Sequence, residues 1–265
     1  MLWLDGKRVD DAAPLFPAQE RGVLLGDGLF ETLRVEKGAP LLLERHLRRM
    51  EIAARELRFA IDVSDLEGIA REAASACETA SMRITLLRGE GPRGLLPPSD
   101  PQHRSLVSVS NAGPRQPASR TAIIATVRRN EGSPLSRMKC VSYADQVIAR
   151  IEAQAAGADD AIMLNNRGEP ASTSCANLLV GTPDGWVTPP VGTGLLPGIV
   201  REVLIEAGLV TEAPVTIETI RTHALARTNS LIGVEPIQLE GTPLTAPHDL
   251  SVLTDALRAA ETREA

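Results

Sequence analysis

The sequence carries 28 Lys and Arg residues, and only Lys7, Lys37 and Lys139 among them are lysine. Genome base composition explains such an arginine excess without saying why any one lysine persists. Lys139 lies in SRMKCVSYADQ, where an irregular stretch meets a helical pattern. A lysine partly shielded from water at such a junction can lose its proton and attack a carbonyl carbon, which an arginine cannot do. A solvated loop lysine fits the same position, and Lys7 and Lys37 lie in turn-like contexts of that bland kind. A second candidate is LLPGIVR at 195–201. A glycine just ahead of a helix lets backbone approach a ligand, and the first N–H groups of the helix bind phosphate, although most helix starts hold no anion. The third is GDGLFETLRV at 26–35, followed by Arg45-His46-Leu47-Arg48-Arg49. Arg49 could grip a phosphate through two N–H groups, yet arginines on helices are as a rule solvated.

These residues need elements to hold them. Leu43, Leu47, Met50, Ala54 and Leu57 recur at helical spacing and predict an amphipathic helix. Ser64-Asp65-Leu66-Glu67 has capping-box spacing and predicts a second helix reaching about Glu78. Strands are expected at Met1–Leu4, Leu29–Val35, Met82–Arg88 and Arg104–Ser110. Between the last two, GEGPRGLLPPSDP is too long for a hairpin, and long loops in compact domains tend to be functional. The run 111–120, NAGPRQPASR, reads as a linker. It separates a small N-terminal domain, 1–112, from a larger C-terminal one, 121–265, across a linker at 113–120. The second half predicts strands at Thr121–Val127, Ala161–Leu164, Asn177–Val180 and Trp186–Thr188, with helices at Ser142–Ala156 and Ile199–Ala207. Helices and strands mixed in both halves define an α/β (mixed α+β) fold of two domains.

A net charge of −6 with 43% hydrophobic and 23% charged residues is that of an ordinary globular chain. Without a basic block, and with three Phe, two Trp and one Tyr, nucleic acid is excluded as the main partner. No apolar run approaches the ~18–20 residues of a membrane helix. The opening MLWLDGKRVDDAAP is charged from its fifth residue and predicts no secretory signal. Three scattered cysteines predict no disulfide framework, and four histidines without a Cys–His cluster predict no metal site. The expected setting is the cytoplasm.

Taken in order, ERGVLLGDGLFETLRV, HLRRM, the RGEGPRG loop, the lysine before a helix, GADDAIMLNNRGEPASTSCANLLV, LLPGIVRE and TNSLIGVEPI resemble the fold-type-IV family of pyridoxal-phosphate enzymes, the class IV aminotransferases. The similarity runs from about Leu2 to Leu244. It implies two α/β-type domains with the cofactor in the cleft between them, in a homodimer acting on a small amine or amino acid that carries a carboxylate. Lys139 falls on the lysine that holds the cofactor's aldehyde and later moves the proton. Arg49, three residues after His46, falls on the phosphate-binding arginine. Gly198, Ile199 and Val200 fall on the helix start that holds the same phosphate, and Asn229 and Ser230 on a polar loop brought to it. Arg93 matches an arginine that binds a substrate carboxylate in some members, and Phe30 is a second substrate-side candidate. Some relatives place a tyrosine on the cofactor's phenolate, as Tyr143 would be; a packed helix residue fits Tyr143 as well.

One departure carries weight. The family has a Glu, five residues before the Asn of this motif, that pairs with the pyridine nitrogen. Counting back from Asn177 gives Ser172, and Glu169 is out of register by three. A carboxylate keeps the ring protonated and strongly electron-withdrawing, which suits transamination; a hydroxyl leaves it largely unprotonated, which still suits an elimination. Ser172 thus speaks against transamination more than against cofactor binding, while RITLLRGEGPRGL, ADDAIML with its following turn and TNSLIGVEPI resemble the lyase branch, whose reaction releases 4-aminobenzoate and pyruvate from 4-amino-4-deoxychorismate on the way to folate. The alternatives are an aminotransferase for D-amino acids, branched-chain amino acids or (R)-amines, and a catalytically silent cofactor-binding homologue.

Overall fold

The computed structural model describes residues 1–10, 15–59, 63–116, 118–243 and 249–264; Pro117, in the expected linker, lies outside them. Residues 1–114, 138–142 and 261–265 form one compact unit, and 115–137 with 143–260 form a second.

The first unit is built on a six-stranded antiparallel sheet. In chain order its elements are β1 (Leu2–Leu4), β2 (Lys7–Val9), α1 (Arg21–Leu25), β3 (Gly28–Glu36), β4 (Ala39–Pro40), α2 (Leu43–Glu56), α3 (Ser64–Ser75), β5 (Thr79–Leu87) and β6 (Arg104–Asn111). The strand order is β2-β1-β6-β5-β3-β4. Alternation along β3 sends Leu29, Leu33 and Val35 into a core with Leu43, Leu47 and Met50 of α2 and with Ala70 and Ala74 of α3. Glu31 shares that parity and is buried with them. The helix α3 starts differently from the capping-box expectation. Its N-cap is Val63, no side chain caps it, and Ser64 already lies within the helix.

The second unit comprises β7 (Arg120–Ile124), α4 (Ala144–Ala156), β8 (Asp160–Leu164), β9 (Pro170–Thr173), β10 (Asn177–Thr182), β11 (Gly185–Thr188), α5 (Ile199–Glu206), β12 (Val210–Glu212), α6 (Ile217–Thr222), β13 (Ala224–Asn229) and β14 (Gly233–Leu239), and most of α7 (Ser251–Arg263). Eight strands run β12-β11-β10-β13-β14-β7-β8-β9, and a further β9–β10 pairing closes six of them into a barrel at Asn177↔Ser172. Its interior holds Ile162, Leu164, Leu178, Val180, Leu225 and Ile237.

The division is not the simple cut expected at 113–120. Arg115 donates to the carbonyls of Ser230 (2.8 Å) and Leu231 (3.2 Å), which ties the start of the expected linker into the second unit. Met138–Ser142, Lys139 among them, belongs to the first unit and not to a continuous C-terminal domain. The reason is local: Cys140 is buried in the first unit's core with Met138 packed against it, and Cys140 bridges to Leu29. Among the described residues no helix is long and apolar enough to cross a membrane.

Candidate active site

Lys139 is delivered as an added rung on β3. Phe30 N–H donates to the Lys139 carbonyl at 2.8 Å and Val141 N–H to the Gly28 carbonyl at 3.0 Å. With Cys140 turned into the core, the pleat turns Lys139 to the opposite face, and its Nζ lies 4.3 Å from the centroid of the Phe30 ring. The Arg83 guanidinium lies 3.6 Å from the same centroid. The lysine therefore stands in irregular backbone between β7 and α4, four residues ahead of the Tyr143 N-cap, and an isolated bridge from Cys140 to Leu29 fixes that backbone against β3.

On the other face of β3, α2 presents His46 and Arg49 to Glu31. Arg49 donates through Nε to Glu31 Oε1 (2.8 Å) and through Nη2 to Oε2 (2.6 Å), and His46 Nδ1 lies 2.7 Å from Oε2. Burial alone would raise the Glu31 carboxyl, but Arg49 and His46 outweigh it and hold it at about 2. Burial lowers His46, with Arg49 and Lys139 adding to that effect against Glu31. The phosphate-clamp expectation for Arg49 thus needs amending: one edge of its guanidinium is committed to Glu31. Glu31 was not singled out from the sequence, although a lone acid inside GLFETLRV facing an i, i+3 His–Arg pair was the available signal.

Arg93 is exposed, in a loop that is fastened rather than loose. The buried Arg21 donates to the carbonyls of Gly94 (3.0 Å) and Leu95 (2.7 Å), while its Nε meets Asp27, which also accepts from Arg88. Burial would raise Asp27, and the two guanidinium groups turn the balance and lower it.

In the second unit Asn177 and α5 form a cradle. Asn177 Nδ2 donates to the Leu196 carbonyl at 2.9 Å. Gly198, the N-cap of α5, sits so close that a Cβ there would fall 2.0 Å from Asn177 Oδ1. No side chain caps α5, so the N–H groups of Ile199 and Val200 are presented by a bare turn, as an anion requires. Asn229 acts otherwise than expected. Its Oδ1 accepts from Leu231 N–H (2.9 Å) and Ile232 N–H (3.0 Å), and Nδ2 donates to the Cys175 carbonyl (3.1 Å), so it braces the β13–β14 turn and the 173–176 loop. Ser230 offers its carbonyl to Arg115. Beneath that loop Asp160 holds Ser174 and Arg227, and Arg227 reaches Glu235 at 2.8 Å through Nε. Tyr143 is half-buried.

Ser172 is buried on β9, directly across from Asn177. Glu169 is drawn away from it: its Oε2 accepts from Asn165 Nδ2 (2.7 Å) and Arg167 Nη2 (2.8 Å), and its side chain is 43% exposed. Arg129, unremarked in the sequence, joins several segments. Its Nε donates to the Gly194 carbonyl at 2.9 Å and its Nη2 to the Ser136 carbonyl.

Each unit by itself carries donors of the kind pyridoxal phosphate takes: an amine and a buttressed guanidinium in the first, a bare helix start and a buried hydroxyl in the second. Comparison with known proteins gives the class. The chain belongs to the class IV aminotransferases, whose family model matches residues 28–239, and so is a pyridoxal-phosphate-dependent lyase or aminotransferase. It is 30% identical over 83% of its length to a Methanocaldococcus jannaschii protein provisionally named a branched-chain-amino-acid aminotransferase, covering 81% of that protein. It is 27% identical over 78% of its length to a Mycobacterium tuberculosis bifunctional aminodeoxychorismate lyase / D-amino acid transaminase, covering 77% of it. Among solved structures, 4-amino-4-deoxychorismate lyase from Pseudomonas aeruginosa superposes with a TM-score of 0.86 at 28% identity, over 98% of each chain.

Proposed function

We propose that this enzyme is a lyase that releases 4-aminobenzoate and pyruvate from 4-amino-4-deoxychorismate. The observation that carries the reading is Ser172 opposite Asn177, with the neighbouring Glu169 held at the surface by Arg167 and Asn165. No carboxylate from that stretch is then available to the position where the resemblance puts one.

When bound, pyridoxal phosphate supplies an aldehyde that captures the substrate amine and a ring that draws electrons from the adjoining carbon. Lys139 would hold the aldehyde at rest, and its Nζ would take the ring proton beside the substrate amine. The same Nζ, or a water, would return a proton to the departing enol of pyruvate. Ile199 and Val200 N–H groups and Arg49 would hold the phosphate, Ser172 would face the pyridine nitrogen, and Asn177 with Gly198 would keep α5 in place. Arg93 would take a substrate carboxylate, beside Phe30, and Tyr143 the phenolate. Aromatisation of the product drives this elimination, so a hydroxyl in place of the carboxylate is tolerated; transamination has no such drive. Three free cysteines fit a reducing, cytoplasmic setting, and a homodimer is the assembly that goes with the reading.

A transaminase reading is favoured by two relatives: the M. jannaschii protein is named for branched-chain aminotransferase activity, and the M. tuberculosis protein carries both activities in its name. The test is to load the protein with pyridoxal phosphate and add 4-amino-4-deoxychorismate, D-alanine or L-glutamate. The lyase releases pyruvate from the first and keeps its yellow absorbance; lasting loss of the yellow band with either amino acid, and no pyruvate from the first, would sink it.

A further inference from the structure

We propose that Arg129 is a positioning residue that couples occupation of the phosphate turn to the order of the loop leading into Lys139. Arg129 follows β7, and its backbone N–H is anchored to the Leu164 carbonyl at 2.9 Å. From there its guanidinium bridges two carbonyls, Gly194 through Nε and Ser136 through Nη2. Turned as its neighbours require, Gln146 accepts from the third nitrogen, Nη1, and donates to the Tyr143 carbonyl. Ser136 stands three residues before Lys139, and Gly194 five residues before Ile199.

Both ends of the bridge are stiff. Ser136 Oγ donates to the Asn130 carbonyl at 2.7 Å, closing the 130–136 loop on itself. Gly194 has φ of +88°, and a Cβ there would meet Glu131 Cα at 2.8 Å, so this turn lies directly on the loop. Beyond it Leu195 is fully buried and Leu196 is held by Asn177, so a displacement of Gly194 cannot be absorbed before Gly198. Among the described residues no carboxylate forms a salt bridge with Arg129, although the charge of Asp145 is felt there; its N–H groups serve carbonyl and amide oxygens. A planar fork with fixed N–H directions sets the separation of two carbonyls, which a lysine ammonium cannot do.

The proposal rests on the reading that α5 holds the phosphate and Lys139 the aldehyde, and is indifferent to lyase or transferase chemistry. Two measurements test it. In the wild-type apo-protein, inorganic phosphate is expected to slow amide hydrogen exchange at 195–200 and also at 131–138. Protection at 195–200 alone would overturn the coupling while leaving the phosphate reading intact; protection at neither would overturn both. In the second, covalent capture of pyridoxal, which lacks the phosphate, is trapped with borohydride and counted by mass. Phosphate is expected to speed capture at Lys139 at least threefold in the wild type and not in Arg129→Lys or Arg129→Gln. The same acceleration in folded variants would overturn the proposal.

Discussion

Glu31 and Arg49 meet through two parallel hydrogen bonds, Nε to Oε1 at 2.8 Å and Nη2 to Oε2 at 2.6 Å, between the middle of β3 and the face of α2. The orientation of the arginine is therefore decided within the fold before any anion arrives. Removing Glu31 leaves a partly buried guanidinium without its carboxylate, and breaking one side of such a pair costs about 3–5 kcal/mol. Glu31→Ala is expected to lose stability of that order in urea unfolding. Glu31→Gln, which keeps the shape and not the charge, is expected to weaken binding of pyridoxal phosphate more than that of pyridoxal. An equal loss for both ligands would remove Arg49 from the phosphate site.

The same cluster fixes an acid limb. Glu31 is held at about 2 in the folded protein against an ordinary 4.5, and His46 is also lowered. Both groups bind protons more readily when unfolded, so their contribution to stability is complete above the unfolded values and is lost as pH falls. His46 starts the loss below its ordinary 6.5, and Glu31 continues it from 4.5 toward 2, with about 3 kcal/mol at stake for the carboxylate. Urea midpoints of the wild type are expected to fall through both windows. Glu31→Gln is expected to be flatter below pH 4.5; parallel curves would assign the acid limb elsewhere.

Ser172 offers a change of reaction rather than of stability. Glu or Asp at this position would put a carboxylate opposite Asn177, where the pyridine nitrogen is expected. Ser172→Asp and Ser172→Glu, loaded with cofactor, are expected to lose the yellow band on adding D-alanine or L-glutamate at least tenfold faster than the wild type. Pyruvate release from aminodeoxychorismate is expected to rise less. A cofactor-loaded variant that is no faster with either amino acid would show that position 172 does not address the ring.

What the sequence made legible was whatever depends on period and on local chemistry. The apolar spacing from Leu43 to Leu57 gave α2 as Leu43–Glu56, and the β3 expectation at Leu29–Val35 became Gly28–Glu36. LLPGIVR marked the start of α5 to the residue. Less legible was everything set by distant partners. β9, only Pro170–Thr173 and rich in small polar residues, has no period to read, yet it closes the barrel and carries Ser172. Met138–Ser142 reads as loop and joins β3 because Cys140 finds room in a core built from residues a hundred positions away. Glu31, Arg129 and Asp160 look like ordinary charges until their partners at 49, 194 and 227 are placed beside them.

The Gly198–Asn177 contact yields a paired test. A Cβ at 198 would fall 2.0 Å from Asn177 Oδ1, so Gly198→Ala must push either the asparagine or the helix start. If the helix moves, the N–H groups of Ile199 and Val200 move with it, and pyridoxal phosphate affinity is expected to fall at least tenfold. Asn177→Ala removes the obstacle and the bond to the Leu196 carbonyl, a loss of about 1 kcal/mol for a hydrogen bond of this kind. The double variant, with space for the new methyl, is expected to bind the cofactor more tightly than Gly198→Ala alone, in absorbance titrations of the apo-proteins. Such non-additivity is what two groups in direct contact produce. If the double variant is as weak as the sum of the two singles, Asn177 does not set the position of the helix start.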